Sequence, residues 1–236
     1  LKEAQNQGIT DIVNTVHYQH PKMNKKNTSY EFIINEISAF QKILTNNDIN
    51  IKIHPASEVF FSFNLTKILD NPITTLGNGK YMLIEFQRLS FPKGYEDELF
   101  KLQLSGITPI IAHPERYRGI QNNIDLAAEW IKRGYLIQID CASILGGFGK
   151  DTQKSAINLL KKGFCHLIGS DAHNDKNRNF CLKKTFSTTQ KIIGKNSTLI
   201  IKNNAQRILD GKDCLNYIVK SEKKSIFDKL MFFIKK

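Results

Sequence analysis

The run Ile107-Thr108-Pro109-Ile110-Ile111-Ala112 ends on His113, and the same arrangement recurs along the chain. Short apolar runs lead, one after another, to side chains of the types that bind metal ions. The runs and their ligand-type residues are 9–15 with His17, 51–53 with Glu58, 81–84 with Glu85, 107–112 with His113, and 165–170 with Asp171 and His173. Because the carboxyl ends of the strands of an α/β barrel converge on one face, we expect these side chains to share a surface.

Strand-like and helical segments alternate along the chain, which predicts an α/β fold with parallel strands and crossover helices. The predicted strands are 9–15, 51–53, 81–86, 107–112, 135–140 and 164–170, and the predicted helices are 29–44, 95–104, 124–133, 151–162 and further segments up to 209. Residues 1–7 are typical of the last turns of a helix, with Gly8 closing it. A helix that begins in mid-turn indicates a missing N-terminal segment, and a seventh strand could precede Leu1.

The composition favours one globular enzyme-sized domain. The chain has 236 residues, 41% of them hydrophobic, and a formal net charge of +12. No apolar run approaches the roughly 20 residues that span a bilayer, and neither a secretory signal nor a nucleic-acid-binding motif is visible, so we expect no nucleic-acid partner. The four cysteines lack C-x-x-C spacing, which predicts free thiols in a reducing cytoplasm. No arginine follows any of them by six residues, which argues against a cysteine-nucleophile phosphatase.

The C-terminal end differs from the rest of the chain. Residues 1–211 form the predicted catalytic domain, and residues 212–236 form a predicted basic amphipathic tail. Six lysines between positions 220 and 236 accompany an apolar stripe at helical spacing. The tail could contact a membrane surface, or it could pack on its own domain or on a second copy in a homo-oligomer.

The candidate ligands indicate a centre for divalent metal ions. Histidine with carboxylate suits manganese, iron or zinc, and the sequence does not choose among them. Two or three such ions would bind a phosphate and lower the pKa of a water. Arg116 and Arg178 lie where guanidinium groups could hold phosphoryl oxygens. His20, His54 and His166 are interpreted as structural residues, with His20 facing solvent.

Five segments then resemble a known family. They are 15–17, 83–86, 111–116, 146–150 and 170–174. They resemble the PHP (polymerase and histidinol phosphatase) superfamily, and within it the metal-dependent tyrosine-protein phosphatases of bacterial capsule and exopolysaccharide operons (CpsB/CapC-like). The resemblance implies a distorted, TIM-like seven-stranded (β/α)7 barrel that holds three metal ions, usually manganese.

The resemblance also implies roles for individual residues. Glu58 would bridge two metals, Glu85 and His113 would complete one shell, and Asp171 would belong to the other half of that pair. His17 and His173 would hold the third metal. Arg116, Arg178 and His113 are the catalytic candidates, with the two arginines gripping the phosphate. The implied substrate is phosphotyrosine on a membrane-associated bacterial tyrosine kinase, in the cytoplasm or at the inner membrane face.

The chain departs from the family pattern at its start. Family members begin with a strand that carries His-x-His and then an aspartate, and this segment is absent, so we expect an N-terminally truncated chain with its first strand missing. Val16 replaces a usual proline and Ala56 a usual glycine. Two alternatives stay open: a small-molecule phosphatase acting on a substrate such as histidinol phosphate, and an impaired barrel that serves as a binding partner.

Overall fold

A parallel six-stranded sheet forms the centre of the protein, in a computed structural model that describes residues 1–23 and 29–219. The strands are Asp11–Tyr18 (β1), Lys52–Phe60 (β2), Tyr81–Glu85 (β3), Thr108–Ala112 (β4), Leu136–Asp140 (β5) and Leu167–Gly169 (β6). They lie in sequence order and the sheet curls into a half-barrel. The predicted α/β fold with parallel strands is confirmed.

Helices connect the strands and cover the sheet. They are Lys2–Asn6 (α1), Tyr30–Asn46 (α2), Tyr95–Leu104 (α3), Arg118–Asn122 (α4), Asp125–Lys132 (α5), Cys141–Leu145 (α6), Lys150–Lys161 (α7), Leu182–Ile193 (α8) and Lys195–Leu209 (α9). Gly8 follows α1 with a φ of +78°, a left-handed conformation that glycine adopts at little cost. Among residues 1–23 and 29–219, no helix is both long and apolar enough to cross a membrane.

The second strand is longer than the sequence predicts, and this places Glu58 inside a strand. The apolar run stops at Ile53, whereas β2 continues through Pro55 to Phe60. Proline lacks an N–H, so it is disfavoured in a strand that is paired on both sides. Here β3 pairs with β2 only from Glu58 onward, so Pro55 leaves no bond unmade on that side.

An aromatic cluster packs at the C-terminal ends of β2 and β3, where Phe61 and Phe86 directly follow the strands. Phe86 stacks on Phe61 and meets the rings of Tyr95 and Tyr117 edge-on. The Tyr117 hydroxyl accepts a hydrogen bond from the Phe86 N–H at 2.9 Å, and Tyr117 is fully buried. Because Phe86 follows Glu85 directly, this contact fixes the backbone that carries the Glu85 carboxylate.

The last described residues, 212–219, fold back onto the body of the protein. Tyr217 is buried, and its hydroxyl donates to the Leu160 carbonyl at 3.0 Å. Asn204 binds both the N–H and the carbonyl of Leu215. The predicted domain boundary after residue 211 stays a prediction, and the lysine-rich part of the predicted tail, residues 220–236, lies outside the described residues. All four cysteines are free, as predicted.

Because His166 is buried, we expect the free energy of unfolding of the protein to fall in mild acid. Its Nδ1 accepts a hydrogen bond from the Ile137 N–H at 3.1 Å. Burial lowers the pKa of His166 from 6.5 to about 4. Between these two pH values the unfolded chain binds a proton that the folded chain does not, so the free energy of unfolding should fall by up to about 3 kcal/mol as the pH drops.

The matched variant is His166→Asn, which keeps an acceptor near the Ile137 N–H but does not titrate. Urea denaturation at several pH values between 4 and 6.5 measures the slope of stability with pH. We expect a flatter slope in the variant, and an equal slope in both proteins would contradict the assignment to His166.

Candidate metal centre

Three neighbouring strands bring His17, Glu58 and Glu85 into one cluster. His17 pairs in register with Glu58 across β1 and β2, and Phe60 pairs with Glu85 across β2 and β3. His17 Nδ1 lies 3.5 Å from Glu58 Oε2 and 3.9 Å from Glu85 Oε2. One ligand atom from each of the three residues falls within 4.8 Å of the other two, so a single cation could contact all three.

His113 closes the cluster from the end of β4. Its Nε2 lies 3.2 Å from Glu58 Oε1 and 3.6 Å from Glu85 Oε1, and the side chain is 2% exposed. The backbone of His113 is left-handed, with φ +34° and ψ +53°. That conformation costs a residue with a side chain on the order of 1 kcal/mol or more and is typical of functional positions.

The electrostatics of the cluster favour a bound cation. Burial raises the pKa of Glu85, and the adjacent Glu58 charge raises it further. Burial also raises the pKa of Glu58, but the hydrogen bond and charge of His113 outweigh it and lower that pKa overall. Burial opposes the positive form of His113, yet Asp140 and Glu58 raise its pKa to about 9. A positively charged His113 imidazole thus offsets part of the negative charge of the two buried carboxylates, and a divalent ion would take over this role by displacing the proton of the imidazole.

The donor atoms also fit a metal ion. His17 Nδ1 and Glu85 Oε2 are buried and make no hydrogen bond among the described residues. Buried polar atoms of this kind are rare unless a ligand, ion or water satisfies them. Imidazole nitrogen with carboxylate oxygen is a donor set for borderline and hard divalent ions.

His20 belongs to the same cluster, so its interpretation as a solvent-facing residue is wrong. Its Nε2 lies 3.7 Å from Glu85 Oε2, and its ring centroid is 5.0 Å from that of His17. The loop after β1 turns the ring back onto Phe60, which it meets edge-on. The H-x-x-H spacing of His17 and His20 is the sequence signal that could have identified it.

The two predicted arginines meet beside the cluster. Arg116 Nη1 lies 3.0 Å from Asp140 Oδ2 and 3.1 Å from Asp171 Oδ2, and Arg178 Nη2 also bonds Asp171 Oδ2. Both guanidinium groups face the ring of Phe148, at 4.7 and 5.6 Å from its centroid. We call the group of Arg116, Asp140, Phe148, Asp171 and Arg178 the arginine corner. Its two cationic groups can both approach one anion.

Asp140 also belongs to this corner, although it is not among the site residues predicted from the sequence. It is fully buried at the end of β5, and burial raises its pKa well above the ordinary range despite the nearby His113 and Arg116 charges. Its N–H donates to Glu115 Oε1 at 3.1 Å, so Glu115 is a local partner, as expected. The run 135–140 also ends on a ligand-type residue, and that is the signal that could have found Asp140.

Asp171 and His173 form a second group, separate from the first. His173 Nδ1 lies 3.4 Å from Asp171 Oδ1, and its ring is 6.1 Å from that of His17. Asp171 has a left-handed backbone with φ +46°. Both residues line a cavity of about 800 Å³ that also reaches His17 and Glu58. Four of the six sequence-predicted ligands therefore line one cavity, and the other two, Glu85 and His113, adjoin it through their contacts with His17 and Glu58.

The remaining histidines lie outside this cavity lining. His54 Nε2 pairs with Asp11 Oδ1 at 2.7 Å, and this contact lowers the pKa of Asp11. His166 binds the backbone of β5. Both fit the structural role expected for them.

The chain is similar to capsule-synthesis proteins over most of its length. The family described as capsular polysaccharide synthesis, CpsB/CapC, matches residues 1–210. CapC from Staphylococcus aureus is 34% identical over 189 residues, which cover 79% of this chain and 72% of CapC. Tyrosine-protein phosphatase YwqE from Bacillus subtilis is 30% identical over 209 residues, covering 88% of this chain and 81% of YwqE.

A solved structure shares the fold. It belongs to the crystal structures of YwqE from Bacillus subtilis and CpsB from Streptococcus pneumoniae, described as unique metal-dependent tyrosine phosphatases. The TM-score is 0.85 at 28% identity, over 92% of this chain and 87% of the other. The barrel-type fold and the family resemblance inferred from the sequence are both confirmed. This chain belongs to the CpsB/CapC family of capsular polysaccharide synthesis proteins.

Proposed function

We propose that this protein is a metal-dependent tyrosine-protein phosphatase that hydrolyses phosphotyrosine with water as the nucleophile. The observation that carries the proposal is the position of two guanidinium groups beside a buried cluster of imidazole and carboxylate groups. Phosphoryl transfer to water requires charge stabilisation and an activated water, and these two groups of side chains suit those needs. Its relatives YwqE and CpsB bear the name tyrosine-protein phosphatase.

We assign one or two divalent metal ions to the cluster of His17, Glu58, Glu85 and His113. Part of the ligand set of a further ion would come from Asp171 and His173. Divalent ions bound there lower the pKa of a water and offset phosphoryl charge. Manganese is the proposed metal, and iron and zinc suit the same donor types. His113, also proposed as a catalytic residue, would bind the ion as a neutral imidazole, and its Nε2 lies 3.2 Å from Glu58 Oε1 and 3.6 Å from Glu85 Oε1, the carboxylates that would share the ion.

Arg116 and Arg178 would bind the phosphoryl oxygens. Arg178 Nε is buried and makes no hydrogen bond among the described residues, so it is a donor that an incoming oxygen can use. Asp171 now accepts from both guanidinium groups and holds them side by side. A planar guanidinium offers paired N–H groups that match phosphoryl oxygens and stabilise charge that develops in the transition state.

The proposed substrate is a phosphotyrosine protein, namely a membrane-associated bacterial tyrosine kinase that regulates capsular or exopolysaccharide synthesis. The family match to capsular polysaccharide synthesis supports this assignment. We propose that the enzyme acts in the cytoplasm, at the inner face of the membrane, where its net charge of +12 favours anionic surfaces. Contact through residues 212–236 and self-association are further parts of this proposal.

A phosphotyrosine peptide and histidinol phosphate, assayed side by side, separate the two enzymatic alternatives. We expect kcat/KM to be at least about tenfold higher for the peptide, because Asp171, which binds both arginines, lines a cavity of about 800 Å³ that has room for more than a small phosphate ester. The reverse preference would indicate a small-molecule phosphatase, and no turnover of either would indicate a binding protein.

Glu85→Gln should abolish metal-dependent hydrolysis. The amide keeps the size of the side chain but removes a negative charge and an oxygen donor from the cluster, so we expect kcat/KM to fall at least about 100-fold and bound metal to fall with it. Glu129→Gln, on the exposed surface of α5, is the matched control. Metal analysis and peptide hydrolysis measure the two effects, and wild-type values for both in Glu85→Gln would refute the centre.

Arg178→Lys should lower kcat/KM for a phosphotyrosine peptide by about 10- to 100-fold, because an ammonium group cannot present the paired N–H donors of a guanidinium. Its bound metal should stay unchanged, since the arginine is not a ligand. Arg133→Lys, exposed at the end of α5, is the control. Steady-state kinetics at equal metal loading give the answer, and full activity in Arg178→Lys would remove Arg178 from the site.

A further inference from the structure

A basic groove adjoins the arginine corner at Arg116 and Phe148. It has a volume of about 270 Å³ and is lined by residues of three segments, which are 88–89, 116–121 and 148–152. Arg88, Arg118 and Lys150 contribute exposed cationic side chains to it. Because Arg116 and Phe148 line the groove and also belong to the arginine corner, the two sites are continuous.

Among the described residues, the positive charge of the groove lining exceeds its negative charge. Arg88, Arg118 and Lys150 make no ion pair with a carboxylate of the described residues, whereas Arg116 contacts the carboxyl groups of Asp140 and Asp171. Asp151 is the acidic residue that lines the groove. Partial burial lowers the pKa of Arg88, and the charges of Arg116 and Arg178 lower it further. A bound anion reduces the electrostatic repulsion among cationic groups that are held together in this way.

The walls of the groove are held by hydrogen bonds. The Arg118 N–H donates to the Arg88 carbonyl at 2.9 Å, which joins the segment after β3 to the start of α4. Gln121 Nε2 donates to the Glu115 carbonyl at 2.9 Å and lies 3.4 Å from Thr152 Oγ1, which joins α4 to α7. A fixed shape reduces the entropy that binding a side chain would cost.

We propose that this groove is a second anion subsite, which binds an acidic group of the substrate peptide close to the phosphotyrosine. The inference rests on the proposed function and adds to it a preference in substrate sequence. The acidic group is a carboxylate of aspartate or glutamate or the phosphoryl group of a second phosphorylated residue. Residues of an extended peptide advance about 3.3 Å each, so a group one to three positions from the phosphotyrosine would reach an adjacent subsite.

The test compares phosphotyrosine peptides of one length in the full chain with metal bound. One set carries glutamate at single positions within three residues of the phosphotyrosine, one carries a second phosphorylated residue there, and one is neutral. We expect kcat/KM to be about five- to tenfold higher for the best acidic peptide than for the neutral one. If both anionic sets are hydrolysed faster than the neutral set, the groove binds anions of either kind. If only one set is hydrolysed faster, the groove is specific for the acidic group of that set.

The groove variant is Arg88→Gln/Arg118→Gln/Lys150→Gln, in which the ratio of acidic to neutral kcat/KM should fall to about one. The matched control, Lys161→Gln/Lys191→Gln/Lys195→Gln, also removes three exposed positive charges, but from α7, α8 and α9 away from the groove. It should keep the ratio of the wild type. Equal rates for all peptides in the wild type, or an unchanged ratio in the groove variant, would overturn the subsite.

The experiment distinguishes failure of the subsite proposal from failure of the proposed function. If the wild type hydrolyses the neutral peptide without any preference, the phosphatase assignment stands and the subsite is wrong. If no phosphotyrosine peptide is hydrolysed, the proposed function itself fails. Binding of the same peptides, followed by fluorescence anisotropy with a non-hydrolysable phosphonate in place of the phosphotyrosine, should show the same order of preference and the same loss in the groove variant.

Discussion

The repulsion between the carboxylates of Glu58 and Glu85 is the constraint on which the site depends. Two neighbouring buried carboxylates cost free energy unless positive charge lies between or beside them. The protein supplies part of that charge with His113, and the two unbonded donor atoms of His17 and Glu85 indicate where more is needed. Parallel pairing of β1, β2 and β3 makes the arrangement unavoidable, because the register places His17 beside Glu58.

In the arginine corner the charges are reversed, because two neighbouring positive groups are held by a negative one. Arg116 and Arg178 would repel each other without Asp171, which bonds both and is itself held in a left-handed backbone conformation. Because a shared carboxylate already holds the two guanidinium groups side by side, they can bind a phosphoryl group without prior rearrangement of the backbone. Among the described residues, the neighbouring groove lacks such a carboxylate partner for its exposed cations, which is why it presents net positive charge to the substrate.

The parallel strands and the side of the sheet on which the ligands gather could be predicted, because strand-like and helical segments alternate and the apolar runs end on His, Glu or Asp. Two features were missed for identifiable reasons. His20 lies in a loop, and only the path of the chain after β1 brings its ring to Glu85. Asp140 ends a strand like the other candidates, but its partner Arg116 is 24 residues away, and sequence spacing does not reveal such contacts. The length of β2 was underestimated because pairing with β1 extends it past Pro55.

Divalent metal binding by the cluster of His17, Glu58, Glu85 and His113 is the property on which the proposed activity depends. Anomalous diffraction at the manganese edge, from crystals of the full chain equilibrated with Mn²⁺, would locate the metal. We expect a strong anomalous peak in contact with the side-chain oxygens of Glu58 and Glu85 and an imidazole nitrogen. A map with no peak there, or with peaks only at other surface carboxylates, would contradict it.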